Sequence, residues 1–118
     1  NQQLMKHIMK LQASPFGMIK SGKKTIELRL NDEKRQKLKI GDEIEFICTD
    51  DADKTVGVRV TNIYHFDNFA QLYKSLPLLK CGYTEDDVCF ANPDDMNVYY
   101  PPDKQMKYGV IGIEIMLV

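Results

Sequence analysis

A chain of 118 residues, 43% hydrophobic and 28% charged, carries enough apolar material for one core and fits one compact domain better than two domains or a disordered segment. A chain of this size buries roughly two-thirds of the surface its unfolded form exposes, so it needs neither disulfides nor a structural metal. Its formal net charge of −1 excludes a domain that grips long duplex nucleic acid by phosphate neutralisation alone.

Residues 5 to 118 are expected to form the single domain, with Asn1-Gln2-Gln3-Leu4 a disordered terminus or an appended remnant. Residues 6 to 12 place Ile8 and Leu11 in a short run free of Gly and Pro and read as a first strand. Ser14 is expected to cap a short helix, Pro15 to occupy its first position, where a missing N–H is harmless, and Gly22 to take the left-handed position past its end. From Thr25 to Leu30 the residues alternate, with Ile26, Leu28 and Leu30 on one face and Thr25, Glu27 and Arg29 on the other, as in a half-buried strand. A polar stretch from Asn31 to Leu38 and an Ile40-Gly41-Asp42 turn precede an alternating strand from Glu43 to Cys48. Asp50-Asp51-Ala52-Asp53 is expected to be a loop, followed by a longer strand from Val56 to Phe66 with Val56, Val58, Val60 and Ile63 inward, so that residues 43 to 66 form a hairpin.

Asn68 is expected to cap a second helix, ended by Pro77, whose Phe69, Leu72, Tyr73 and Leu76 recur at helical spacing as a core-packing stripe. Thr84-Glu85-Asp86-Asp87 and Pro93-Asp94-Asp95 start short helical turns, with carboxylates well placed at their N-termini. Pro101-Pro102 is expected to be extended, residues 103 to 107 a turn, and Val110 to Leu117 a last strand, buried except at Glu114. Strands without regular strand-helix-strand alternation predict a mainly β, α+β fold, a small, partly closed mixed β-barrel of about five to six strands with short flanking helices.

Charge is unevenly spread. Between residues 20 and 39 there are eight basic residues against three acidic ones, a local charge of +5, whereas residues 82 to 103 hold six acidic residues and no Lys or Arg. Cys48, Cys81 and Cys89 form no Cys-x-x-Cys pair, and His7 and His65 have no Cys or carboxylate at ligand spacing, so reduced thiols are expected and neither a metal site nor a cofactor. No stretch of about 18 apolar residues and no signal sequence is visible, which predicts a cytoplasmic protein without a membrane partner.

Glu27 and Arg29, two apart on a strand, project from one face about 7 Å from each other. The carboxylate can accept from an amino or ring N–H, and the guanidinium can donate a planar fork to a phosphate or carbonyl. Strict alternation places Lys23 on that face; Lys24 reaches it only if it lies in the turn before regular pleating begins. The plain alternative is a surface ion pair at a barrel rim, worth ~0–1 kcal/mol, beside solvated lysines. Among the aromatics Tyr83, Phe90, Tyr99, Tyr100 and Tyr108, the adjacent Tyr99 and Tyr100 are the candidates for stacking on an unpaired base.

Gly22, Lys24, Glu27 and Arg29 resemble the Gly-x-Lys-x-x-Glu-x-Arg motif of the ASCH domain family, named for homology to an activating signal cointegrator. The Ser14-Pro15-Phe16 helix before the motif, the Ile40-Gly41-Asp42 turn after it and the Tyr108-Gly109-Val110-Ile111 start of the last strand are similar to that family's landmarks, so the resemblance runs from Lys6 to Leu117. It implies a PUA-like β-barrel with a cleft beside the motif and a role in binding RNA. Gly22, Lys23, Lys24, Glu27 and Arg29, with Tyr99 and Tyr100, are then the candidate contacts for RNA or a nucleoside-like ligand. An alternative follows from bacterial relatives of similar fold that are amidohydrolases, deacetylating N4-acetylcytidine with a lysine, a threonine and a distal glutamate. Lys24 matches that lysine, Glu27 stands in place of the threonine, and Glu85 is nearest the distal glutamate by region only; Lys24 and Glu27 would then be catalytic, Glu27 as general base. A second alternative is a protein-interaction adaptor, since cointegrator relatives work in complexes.

Overall fold

The computed structural model describes residues 3–118, so the expectation for residues 1–4 lies partly outside the described residues. One sheet contains five strands, β1 (Lys6–Leu11), β2 (Ile26–Leu30), β3 (Glu43–Cys48), β4 (Asp51–Phe66) and β5 (Val110–Leu117), in the order β1-β3-β4-β5-β2. β1 runs parallel to β3 and every other pairing is antiparallel. Although β1 and β2 are the outermost strands, Arg29 Nη2 on β2 donates to the Lys10 carbonyl on β1 at 2.9 Å. Only a strongly curled sheet brings its two edges that close, and this one is a half-barrel.

Two hydrophobic cores lie on either side of β2. Met9, Leu11, Ile44, Phe46, Val58, Val60, Ile111 and Ile113 line the half-barrel, closed by Phe16 and Ile19 of α1 (Ala13–Lys20). Ile26, Leu28 and Leu30 point the opposite way, against Phe69 and Leu72 of α2 (Phe69–Ser75) and Met96. Directly paired residues of antiparallel strands share a face, and Glu27 and Arg29 pair with Ile113 and Ile111. The polar face of β2 is therefore turned into the half-barrel, and all five residues of the strand are buried.

The inward positions of β4 change parity within the strand, from Val58 and Val60 to Ile63. A register shift between Val60 and Asn62 supplies the extra residue. The acidic stretch at 50–53 is not a loop. The connection is confined to Thr49 and Asp50, and Asp51 already pairs with Cys48 across a second register shift, so tight hairpin closure overrides the weak strand preference of aspartate. Helix α1 starts one residue before Ser14, with Gln12 at its cap and no side-chain capping bond. Asn68 does cap α2, accepting from the Gln71 amide at 2.9 Å. Residues 103–107 belong to a helix, α3 (Pro102–Tyr108), because Pro101 is extended while Pro102 begins the helix, where its fixed φ is an advantage. Gly109 (φ +71°) then turns the chain into β5.

The free edge of β1 is capped by side chains. The Ile8 carbonyl accepts from Lys34 Nζ at 2.8 Å, and the Lys10 carbonyl accepts from Arg29, which blocks edge-to-edge pairing with another chain. Its N-terminal end is fixed by the fully buried Asp42, which accepts from the Met5 amide (3.0 Å), the Lys39 amide (3.0 Å) and His7 Nε2 (2.7 Å). No helix among the described residues is long and apolar enough to cross a membrane.

Candidate functional site

Where α1 ends, Gly22 (φ +82°) reverses the chain, and the Lys24 amide donates back to the Met18 carbonyl at 3.0 Å. Lys24 therefore sits in an irregular turn two residues before β2 begins and is free of the strand's parity. Its side chain turns inward and is 9% exposed. Lys24 Nζ lies 2.7 Å from Glu27 Oε1, and Glu27 Oε2 accepts from Arg29 Nε at 2.7 Å. Glu27 and Arg29 are 3% and 8% exposed, so the surface-pair alternative does not describe them. Gly82 (φ +111°) lies over the lysine; a Cβ there would be 3.6 Å from Nζ.

Burial of this depth pushes a carboxyl toward its neutral form, yet Lys24 and Arg29 outweigh it and hold Glu27 below its ordinary 4.5. Burial likewise works against the Arg29 cation, and Glu27 outweighs it, raising the guanidinium above its ordinary value. Each charge stabilises the other. The Glu27 carboxylate has both oxygens engaged, whereas Arg29 Nη1 has no partner among the described residues.

These three side chains form the floor of a cleft of about 730 Å³. One wall is β1 and α1, through Lys10, Ser14, Pro15 and Met18; the other is the 73–100 segment, through Tyr73, Cys81, Tyr83, Asp87, Asp95 and Tyr99. In the second wall the Tyr83 hydroxyl donates to Asp95 Oδ2 at 2.7 Å and lies 2.6 Å from the Tyr73 hydroxyl, which must then be the donor to Tyr83. Burial and these two hydrogen bonds push the Tyr83 hydroxyl far above its ordinary value, and burial pushes the Cys81 thiol up to about 11. Both keep their protons at neutral pH.

Of the expected site residues, the structure brings Lys24, Glu27, Arg29, Tyr99 and Tyr100 to the cleft and leaves two outside it. Gly22 serves the turn, and Lys23 is exposed because the turn spends its inward position on Lys24. The two tyrosines divide their roles. Tyr100 stacks on Phe69 (centroids 6.1 Å apart, 19° between planes) and belongs to the second core, while Tyr99 is 58% exposed and presents an open ring. Glu85 and Phe90 do not line the cleft, and Tyr108 lines a different hollow while its hydroxyl donates to Glu33 at 2.8 Å. That hollow, of about 860 Å³, contains none of the buried charged groups. Sequence reasoning missed Tyr73, Asp87 and Asp95 as wall residues, having read the first as core and the others as helix-start carboxylates. The run of six acidic residues without a cation was the one signal that this segment faces something basic.

Compared with known proteins, residues 9–118 match the family model described as ASCH domain. Among solved structures, the crystal structure of the hypothetical protein PH0355 is 32% identical, with a TM-score of 0.80 over 97% of this chain and 100% of that one. The solution structure of protein PF0455 from Pyrococcus furiosus is also 32% identical, with a TM-score of 0.74 over 97% of this chain and 98% of that one. The ASCH protein of Zymomonas mobilis shares the fold at 14% identity and a TM-score of 0.65, over 94% of this chain and 66% of that one. No curated protein matches the chain at a significant level.

Proposed function

This chain belongs to the ASCH domain family and has its PUA-like half-barrel, and from that premise we propose that the cleft above Lys24, Glu27 and Arg29 binds single-stranded RNA or a nucleoside-like ligand. The observation that carries this reading is a buried ionic trio, rigidly paired, lying open to a cleft beside an exposed tyrosine ring. Taking three charges out of water is expensive, and buried ion clusters can often be replaced by apolar residues without loss of stability. Their use here is better explained by a ligand that meets prearranged donors at the floor while a base stacks on Tyr99.

Binding is favoured over amide hydrolysis by the state of Glu27. A general base needs a pKa near the working pH, and this carboxylate is held below its ordinary value by the two cations that each engage one of its oxygens. The protonated Cys81 thiol is a poor nucleophile. A cytoplasmic setting is part of the proposal, consistent with Cys48, Cys81 and Cys89 as free thiols.

The test is a calorimetric or fluorescence titration with short single-stranded RNAs and with nucleosides at two salt concentrations. Saturable, salt-sensitive binding is expected. Tyr99→Ala should weaken it by about 1–3 kcal/mol, the usual worth of one base–aromatic stack, while leaving thermal stability unchanged because the ring is mostly solvated. Absence of saturable binding by RNA and nucleosides alike would remove the proposal.

A further inference from the structure

We infer that the floor of the cleft receives a terminal phosphate, so that the ligand is a phosphomonoester, a free nucleotide or a phosphorylated RNA end, rather than an uncharged nucleoside. This rests on the binding reading above and narrows it.

The first ground is the inventory of donors and acceptors at the floor. Each Glu27 oxygen already accepts from a cation at 2.7 Å, which spends about half of the carboxylate's accepting capacity. The larger unspent capacity lies in donors, the remaining N–H bonds of Lys24 Nζ and the whole of Arg29 Nη1. Among the described residues the sole buried side-chain polar atom without a partner is Arg35 Nε. Arg29 Nη1, which also has no partner, is therefore not sealed in and is reachable from the cleft. A group that accepts several hydrogen bonds is the best match for these donors. Pairing edges of bases mix donors with acceptors, whereas a phosphate only accepts and matches the guanidinium fork.

The second ground is charge. Two cationic side chains share one carboxylate, a formal +1, and among the described residues neither Lys24 nor Arg29 has another carboxylate at ion-pair distance. In a space this poorly exposed, the unbalanced charge favours an anion. A phosphomonoester carries about −1.5 to −2 at neutral pH. The third ground is the opposite polarity of the far wall. There Asp95 takes the Tyr83 hydroxyl and the Asn92 amide on Oδ2, leaving Oδ1 without a partner among the described residues, and Asp87 lines the same cleft. A ligand anionic at one end and bearing hydroxyl or amino donors at the other fits this polarity, and a nucleotide has that form, its ribose hydroxyls toward the aspartates and its base toward Tyr99.

The deciding measurement is calorimetry on the whole chain with the four nucleosides, their 5′-monophosphates, and a short single-stranded RNA carrying either a 5′-phosphate or a 5′-hydroxyl, at low and high salt. At least one monophosphate is expected to bind about tenfold or more tightly than its own nucleoside at low salt, with the gap shrinking as salt screens it. Tighter binding of the 5′-phosphorylated RNA than of its 5′-hydroxyl twin would identify an RNA end as the source; preference confined to mononucleotides would identify a free nucleotide. Either supports the inference. Lys24→Met, which leaves the floor formally neutral, should reduce the phosphate preference to a few-fold or less; should that variant not fold, the comparison on the unaltered chain decides alone. Equal affinities for nucleoside and monophosphate would overturn the inference while leaving the binding proposal standing, and no binding by any of these ligands would overturn both.

Discussion

Replacing Glu27 with alanine is expected to destabilise the folded chain by about 3–5 kcal/mol, because removing one partner of a buried ion pair leaves the others uncompensated. Lys24 Nζ and Arg29 Nε each lie 2.7 Å from a different oxygen of the same carboxylate. Without it two cations remain side by side in a space where water is scarce. A loss of this size should lower the midpoint of thermal unfolding by on the order of 10 °C or more, and urea unfolding monitored by circular dichroism measures it. Glu27→Gln keeps the shape and one acceptor oxygen but not the charge, and should fall between alanine and the native residue. The informative comparison is the triple replacement Lys24→Met, Glu27→Leu, Arg29→Met, which removes all three charges together. It should recover most of the alanine variant's loss, apart from roughly 1 kcal/mol for the hydrogen bond that Arg29 gives Lys10, and should bind no ligand. If the triple variant were as unstable as Glu27→Ala, the trio would be cement for the half-barrel, and the reason for assigning it a ligand would be gone.

Much of this arrangement was legible in residues 22–30. The alternation of Ile26, Leu28 and Leu30 with Glu27 and Arg29 fixed which side chains share a face, and the glycine fixed where the helix turns back. Alternation cannot say which face looks inward. The apolar side of β2 resembled a core face and the polar side a solvent face, but α2 and Met96 supply a second layer over the apolar side, so the polar side is the one enclosed by the half-barrel. That layer is a long-range fact, written some forty residues further along the chain, and no local pattern in the strand announces it. The choice between Lys23 and Lys24 failed to follow from parity for a related reason. Lys24 is placed by its amide bond to Met18, a turn property, and not by the pleat. The far wall was the least legible part. Tyr73 follows Phe69 and Leu72 at helical spacing and contacts the same core, and only its hydroxyl, linked through Tyr83 to Asp95, shows that its outer end belongs to the cleft.

Asp42→Ala should cost a comparable amount, about 3–5 kcal/mol, and should weaken ligand binding from outside the cleft. Its carboxylate is the common acceptor for the Met5 amide, the Lys39 amide and His7 Nε2, and each buried donor left without a partner costs roughly 1–3 kcal/mol, less than additively where the backbone can shift to meet water. The damage falls on β1. That strand is held by its ladder with β3, by the two side chains on its free edge and by this carboxylate at its start, and the Lys10 carbonyl that steadies Arg29 lies on it. The same residue makes the fold sensitive to acid. Burial raises the Asp42 pKa, but the Met5 amide, His7 and the Lys39 amide together outweigh it and hold the carboxyl below its ordinary 3.8, as Lys24 and Arg29 hold Glu27 below 4.5. Both groups bind protons less readily in the folded chain than in the unfolded one. The stability they contribute is therefore complete well above these ordinary values and drains away as the pH falls through them toward the lower folded values. Urea unfolding of the native chain and of Asp42→Ala should accordingly show a gap that is widest near neutrality and narrows in acid below about pH 4. A gap of constant size across that range would mean that the shape of the side chain, and not its charge, anchors the strand.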